Sequence, residues 1–260
     1  MHKVNFFKIW LLFCTFFITT LLVLAIGALF TVPTFEDVWM NLQSEEMRFS
    51  LSLSLITGLI SSVLVMLFSL PIGFALSRLS FPGKGIVRTI MDLPIAFPEL
   101  VLGLCLILLF GKTPIGTALK SIGINFVFTQ EGVVVAQFFT ALPYAIRIMK
   151  STFDFISPRM EFISRSLGYT QFETFIKVSL PLAGKGILAA SVIAFARCIG
   201  TFGTVLILAG GSYMKTETLP VTLYLNISYG NMGMALTSGL LLVAVSFAAI
   251  FVFEMTEVKL

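Results

Sequence analysis

The sequence predicts an all-α integral membrane protein of six transmembrane helices, with a polar helix-turn-helix on the cytoplasmic side between spans four and five. Three observations predict it. Hydrophobic residues make up 57% of the 260 positions and charged residues only 12%, too little polar surface to cover a water-soluble fold. The chain has a mean hydropathy of +1.01, and its apolar residues gather into runs near the ~20 residues that cross ~30 Å of hydrocarbon. One long polar stretch, Glu161 to Pro181, interrupts them and contains its own helix start and stop signals.

The first run, residues 9–31, is longer than the apolar core of a secretory signal and is followed by no small-residue cleavage site, so it reads as an uncleaved span. The second, 51–77, and the fifth, 185–208, contain Ser, Thr and Gly, small residues that let helices approach closely in lipid. The third, 94–110, begins with Pro94 and Pro98, four residues apart. Prolines free backbone carbonyls and can kink or delay a helix where it lines a cavity. Residues 132–149 and 234–253 complete the six spans of a single transmembrane domain.

Lys and Arg set the orientation, since they accumulate on the cytoplasmic side of membrane helices. With the N-terminus inside, twelve of the 17 fall on cytoplasmic segments, among them Lys3, Arg78, Arg165 and Lys259. Four fall outside (Arg48, Lys112, Lys120 and Lys215), and Arg197 lies within a span. Both termini are therefore expected in the cytoplasm of a multi-pass plasma-membrane protein, and the net charge of +4 follows from topology with no nucleic-acid partner.

Catalytic and metal-binding classes find no support. Cys14, Cys105 and Cys198 fall within spans without ligand spacing and read as small buried hydrophobes; the single histidine, His2, is terminal. No nucleophile, zinc or paired-carboxylate motif appears. Ala209 to Thr216, AGGSYMKT, superficially resembles a phosphate loop, but Met214 stands where the Gly before the Lys is needed. Asn226, Ile227 and Ser228 form a glycosylation sequon to which no role is assigned, and Lys215 to Met232 reads as a Pro-initiated amphipathic stretch at the outer face.

Within the polar segment, residues 157–182, Ser157 and Pro158 mark a helix start and Gly168 its stop. Thr170 and Glu173 form a capping box for a second helix, with Phe172, Phe175 and Ile176 on one face, and Pro181 ends or bends it before the next span. Such a hairpin suits either a layer on the lipid headgroups or insertion into a partner's groove.

Two charges lie inside spans. Arg197, near mid-bilayer and followed by Gly200, Thr201 and Gly203, is either satisfied by neighbouring carbonyls or an acid, or lines a path that helps an anion cross. Glu99, beside Pro94 and Pro98, belongs either to a gate or to a structural contact, with Arg197 or with the cytoplasmic loop.

The spacing Glu161, Gly168, Val178, Leu180, Pro181 resembles the EAA signature of permease subunits of binding-protein-dependent type I ABC importers. Phe162 and Ile163 replace its usual alanines, and Val178 its isoleucine. The resemblance implies that the hairpin is a coupling element docked on a separate ATPase, which binds the ATP and Mg, while this chain binds no cofactor. Glu161 opens the signature; Arg165, Ser166, Leu167, Gly168 and Tyr169 would lie at or near the contact, with Phe172 and Phe175 packed beneath. It further implies an extracytoplasmic binding protein, a second permease copy and alternating access.

"DLPIAFP" and Phe195 to Gly211 look most like permeases for molybdate, tungstate and sulfate, although Thr201 replaces the Glu many of those relatives have. Iron, polyamine and phosphonate permeases are the alternatives within the family. A stand-alone channel or ion-driven carrier, with Arg197 and Glu99 as its ion-linked charges, is the alternative outside it.

Overall fold

The computed structural model describes residues 6–257, so His2, Lys3 and Lys259 lie outside the described residues. Every regular element within them is helical. α1 (Phe6–Thr31) buries none of its residues and touches the rest of the molecule along α14. α2 (Phe35–Gln43) starts at Thr34, whose hydroxyl accepts the Asp37 amide at 3.2 Å. α3 (Glu45–Arg78) is capped by Ser44 and continues through Pro71.

α4 (Lys84–Ala96), α5 (Glu99–Lys112) and α6 (Pro114–Ser121) lead to α7 (Gln130–Phe155). The polar stretch follows as α8 (Pro158–Ser166), α9 (Gln171–Thr174), a π-helical turn (Phe175–Ser179) and α10 (Leu180–Leu182). α11 (Gly184–Ile199), α12 (Gly203–Ala209), α13 (Leu219–Ser228) and α14 (Met232–Glu257) complete the chain.

The core is the packing of α3, α7 and α11. Small residues permit it: a Cβ on Gly73 would lie 2.6 Å from Met149 Cβ, and one on Gly58 2.7 Å from Ile199 Cγ1. Hydroxyls of α3 find partners within the helix or on its neighbours, and the Gln137 amide bridges Ser61 and Thr57 at 2.9 and 3.1 Å. A second cluster packs α5, α7, α12 and α13 around Leu106, Val133, Val205 and Val221.

Helices α1, α3, α7 and α14 are each long and apolar enough to cross a membrane; two bent pairs raise the count to six if each is one span. The structure differs from the expected third span, because residues 94–96 end α4 and the chain then turns by 116° into α5. Pro98 forces the residue before it out of the helical region, and Phe97 is extended at φ −114°, ψ 159°. Pro94 sits inside α4 without ending it.

The expected fifth span is likewise interrupted, between Ile199 and Gly203. Pro181 stands one residue before the end of its helical run, where the expected bend before the next span occurs. The helix passes through it to Leu182 and bends by 75° afterwards. A proline removes one amide and crowds the carbonyl four residues back; the turn before it is widened, with Leu180 N donating to Phe175 O. Of the cysteines only Cys198 is buried, since Cys14 and Cys105 lie on outward faces of α1 and α5.

Candidate functional site

The hairpin between α7 and α11 is built by its capping residues. Ser157 makes no side-chain cap, so Pro158 alone starts α8. The helix closes with Gly168 N donating to Arg165 O at 3.1 Å and Tyr169 N to Ser164 O at 3.3 Å, a paired closure that needs the left-handed φ of +95° at Gly168. Glu173 N donates to Thr170 Oγ1 at 3.2 Å while Thr170 N donates to Glu173 Oε2 at 2.9 Å, completing the capping box. The Thr170 amide and hydroxyl hold the Glu173 carboxyl below its ordinary range.

The tip of this hairpin is apolar and open. Leu167 is 75% exposed and Phe172 73%, with Phe162 beside them. Phe172 therefore does not pack beneath the turn as expected, because the covered face of α9 is that of Thr174, which is buried against Ser164. Ile176 is exposed too. Phe175 does pack inward, with its ring centroid 4.7 Å from that of Phe74 and 6.3 Å from that of Phe153.

Behind the tip, a cavity of about 720 Å³ separates the hairpin from the end of α3, with Arg165 and Tyr169 among its lining residues. Its wall contains an ion pair: Arg78 Nε donates to Glu161 Oε1 at 2.8 Å, the side chains being 12% and 15% exposed. Arg78 Nη2 also donates to Ile156 O at 2.7 Å, and Ser179 Oγ donates to the same Glu161 oxygen at 3.1 Å. Glu161 thus faces the bundle, away from the open tip.

The interrupted spans meet at Glu99. Phe202 N and Gly203 N donate to its Oε2 at 3.2 and 3.1 Å, and Thr204 Oγ1 donates to its backbone carbonyl at 3.0 Å. The carboxylate supplies the acceptors that the break removes from the start of α12, where negative charge is favoured. Arg197 is separate from it. Its guanidinium carbon lies 4.0 Å from the centre of the Tyr144 ring and its Nη2 donates to the Tyr144 hydroxyl, on an exposed face of α11. Thr201 is buried and donates to Arg197 O at 2.7 Å; Gly200 ends α11.

At the other end of α3, Asn226 Nδ2 donates to Glu46 Oε1 and to Thr222 O, both at 3.0 Å, so the sequon asparagine is committed and buried. Glu217, in the loop before α13, is 2% exposed, and its Oε2 has no protein partner. Burial and then the neighbouring charge of Glu46 push its carboxyl above the ordinary range.

Residues 69–259 match the family described as the binding-protein-dependent transport system inner membrane component. The chain belongs to this family. The permease is 30% identical over 84% of its length, and 77% of the relative's, to the sulfate transport system permease protein CysW of Synechococcus elongatus. It is 31% identical over 87% of its length, and 82% of the relative's, to a probable molybdenum ABC transporter permease protein of Haloferax volcanii. The fold is also that of a chain in a bacterial ABC transporter involved in the import of the acidic polysaccharide alginate, with a TM-score of 0.72, 16% identity and coverage of 97% and 96%.

Within the permease, the structure brings Glu99, Gly203 and Thr204 together and keeps Arg197 apart from them. Arg78, Ser179 and Tyr144 join these sites although no sequence motif marks them. Arg78 stands 83 positions from Glu161, and its only local signal is a lone arginine closing an apolar run.

Proposed function

We propose that this permease forms the membrane pathway of an ATP-driven importer of a tetrahedral oxyanion, sulfate or molybdate and tungstate. The observation carrying the reading is the projecting hairpin, whose exposed Phe162, Leu167 and Phe172 surround the left-handed Gly168 turn. An aromatic and aliphatic knob on rigidly capped helices suits a groove in a partner protein. That partner is an ATPase subunit that binds ATP and Mg and hydrolyses the nucleotide, while the permease binds no cofactor and performs no chemistry. The positive-inside bias puts the hairpin and both termini in the cytoplasm, and the opposite end, with α13, faces an extracytoplasmic binding protein.

Arg197 supports an anionic cargo. A cation on an outward face of α11 near mid-bilayer is costly against lipid, so this face fits a hydrated path shared with a second permease copy. The relatives named for sulfate and molybdate support the oxyanion class. The chain, its ATPase and its binding protein, reconstituted in vesicles, are expected to take up labelled sulfate or molybdate only with ATP. Uptake of a metal cation or polyamine instead, or uptake without any ATPase, would overturn the reading.

A further inference from the structure

α3 is held by polar contacts at both ends, and the two sets face different parts of the molecule. At one end, among the described residues, Arg78–Glu161 is the only hydrogen bond or ion pair that joins α8 to a long helix of the bundle. The same guanidinium grips the carbonyl ending α7, and Ser179 of the π turn shares the Glu161 oxygen. At the other end α3 and α13 form a three-rung ladder. Asn226 donates to Glu46 at 3.0 Å, Thr222 to Ser50 at 2.7 Å, and Leu219 N to Ser54 at 2.8 Å.

Positions 46, 50 and 54 share one face of α3, and 219, 222 and 226 share one face of α13. Ser50, Ser54 and Thr222 are fully buried. Apolar helix faces can slide by small steps, but buried hydrogen bonds fix a register, because a slipped rung leaves donors without acceptors. Ser54 and Arg78 stand ~36 Å apart at ~1.5 Å rise per residue, so the clasps bracket the hydrocarbon.

We propose that α3 is a strut joining the hairpin to α13, so that displacement of one end is delivered to the other, with Arg78 and Ser54 as positioning residues that act through Glu161 and Leu219. The proposal rests on the permease reading and adds a route through the chain to the ATPase-coupled cycle. Glu161 is then an internal joint, not a contact to the partner. Both clasps lie on one route, so breaking either interrupts it and breaking both adds little.

The test uses the full transporter in vesicles, scoring ATPase copurification and oxyanion uptake per ATP hydrolysed. Arg78→Ala and the pair Ser50→Ala with Ser54→Ala are each expected to retain the ATPase and to lower uptake per ATP about tenfold, within the range of known coupling energies. The combination is expected to be no worse than either alone, and the exchange Arg78→Glu with Glu161→Arg to recover part of the loss. Should Arg78→Ala not accumulate, Arg78→Lys, which cannot grip Glu161 and Ile156 together, has the same expectation. Unchanged uptake per ATP, losses that multiply in the combination, or release of the ATPase by Arg78→Ala would each overturn the strut. Failure of the wild-type chain to bind an ATPase would instead overturn the permease reading.

Discussion

The Glu99 carboxylate accepts the Gly203 amide at 3.1 Å from across the break between α11 and α12. The same contact explains the glycine: a Cβ there would lie 3.1 Å from both Glu99 Cβ and Leu100 N. Glu99→Ala leaves two amides of the break without acceptors, and a loss of about 1–3 kcal/mol is expected. Gly203→Ala is expected to cost a similar ~1–3 kcal/mol by overpacking. Thermal unfolding in detergent measures both, and a Glu99→Ala protein as stable as the parent would contradict the capping role.

Gly168 presents the opposite case, a glycine needed for backbone shape where space is open. A Cβ added there would meet nothing within 4 Å, but φ is +95°. Gly168→Asp is therefore expected to cost only about 1 kcal/mol of stability. Copurification of the ATPase should nevertheless be lost. Retention of both transport and the ATPase would remove the hairpin from the coupling mechanism.

Arg197→Ala should fold, because the side chain lies on an exposed face. Oxyanion uptake is expected to fall by about tenfold or more, since ~1.4 kcal/mol of lost anion stabilisation already accounts for a factor of ten. Tyr144→Phe keeps the ring beneath the guanidinium and should have a smaller effect. Equal, unchanged uptake in both variants would deny Arg197 a place on the path.

Glu217 makes stability depend on pH in an unusual direction for an acid. Its folded carboxyl holds its proton above the ordinary Glu range, so the native state binds more protons than the unfolded chain. The contribution of Glu217 to stability is then fully present at low pH and is lost as pH rises from the ordinary Glu value through the raised one. Glu217→Gln should flatten that decline and melt higher than the parent at neutral pH. Melting curves of the two proteins between acidic and neutral pH check the sign, and parallel curves would refute it.

The two aromatic residues of α9 and the π turn separate packing from docking. Phe175→Ala removes a ring packed against Phe74 and Phe153 and is expected to destabilise by about 3–5 kcal/mol. Phe172→Ala should leave the melting temperature near that of the parent while weakening ATPase copurification. The pair of measurements on both variants distinguishes these roles.

Local chemistry was legible in the sequence wherever one stretch contains its own signals. The Thr170–Glu173 box, the Gly168 stop and the apolar runs all act over a few residues, and each is present in the fold. Contacts between distant positions were not. The break after Ile199 depends on a carboxylate 104 positions earlier, and no pattern within 185–208 announces it. Phe172 and Phe175 have equal claims by helical spacing, and only the depth of the surrounding bundle tells which ring is covered.

The widened turn at Phe175–Ser179 has a consequence for the phase of the chain. One residue of an α-helix accounts for ~100° of rotation, so the extra residue in that turn offsets everything before it from everything after it by that angle. Phe175 meets Phe74 and Ser179 meets Glu161 under this offset. Deleting a single residue from the turn would preserve hydropathy and the caps on both sides, yet swing the whole projecting knob around its axis like a key turned in its bow.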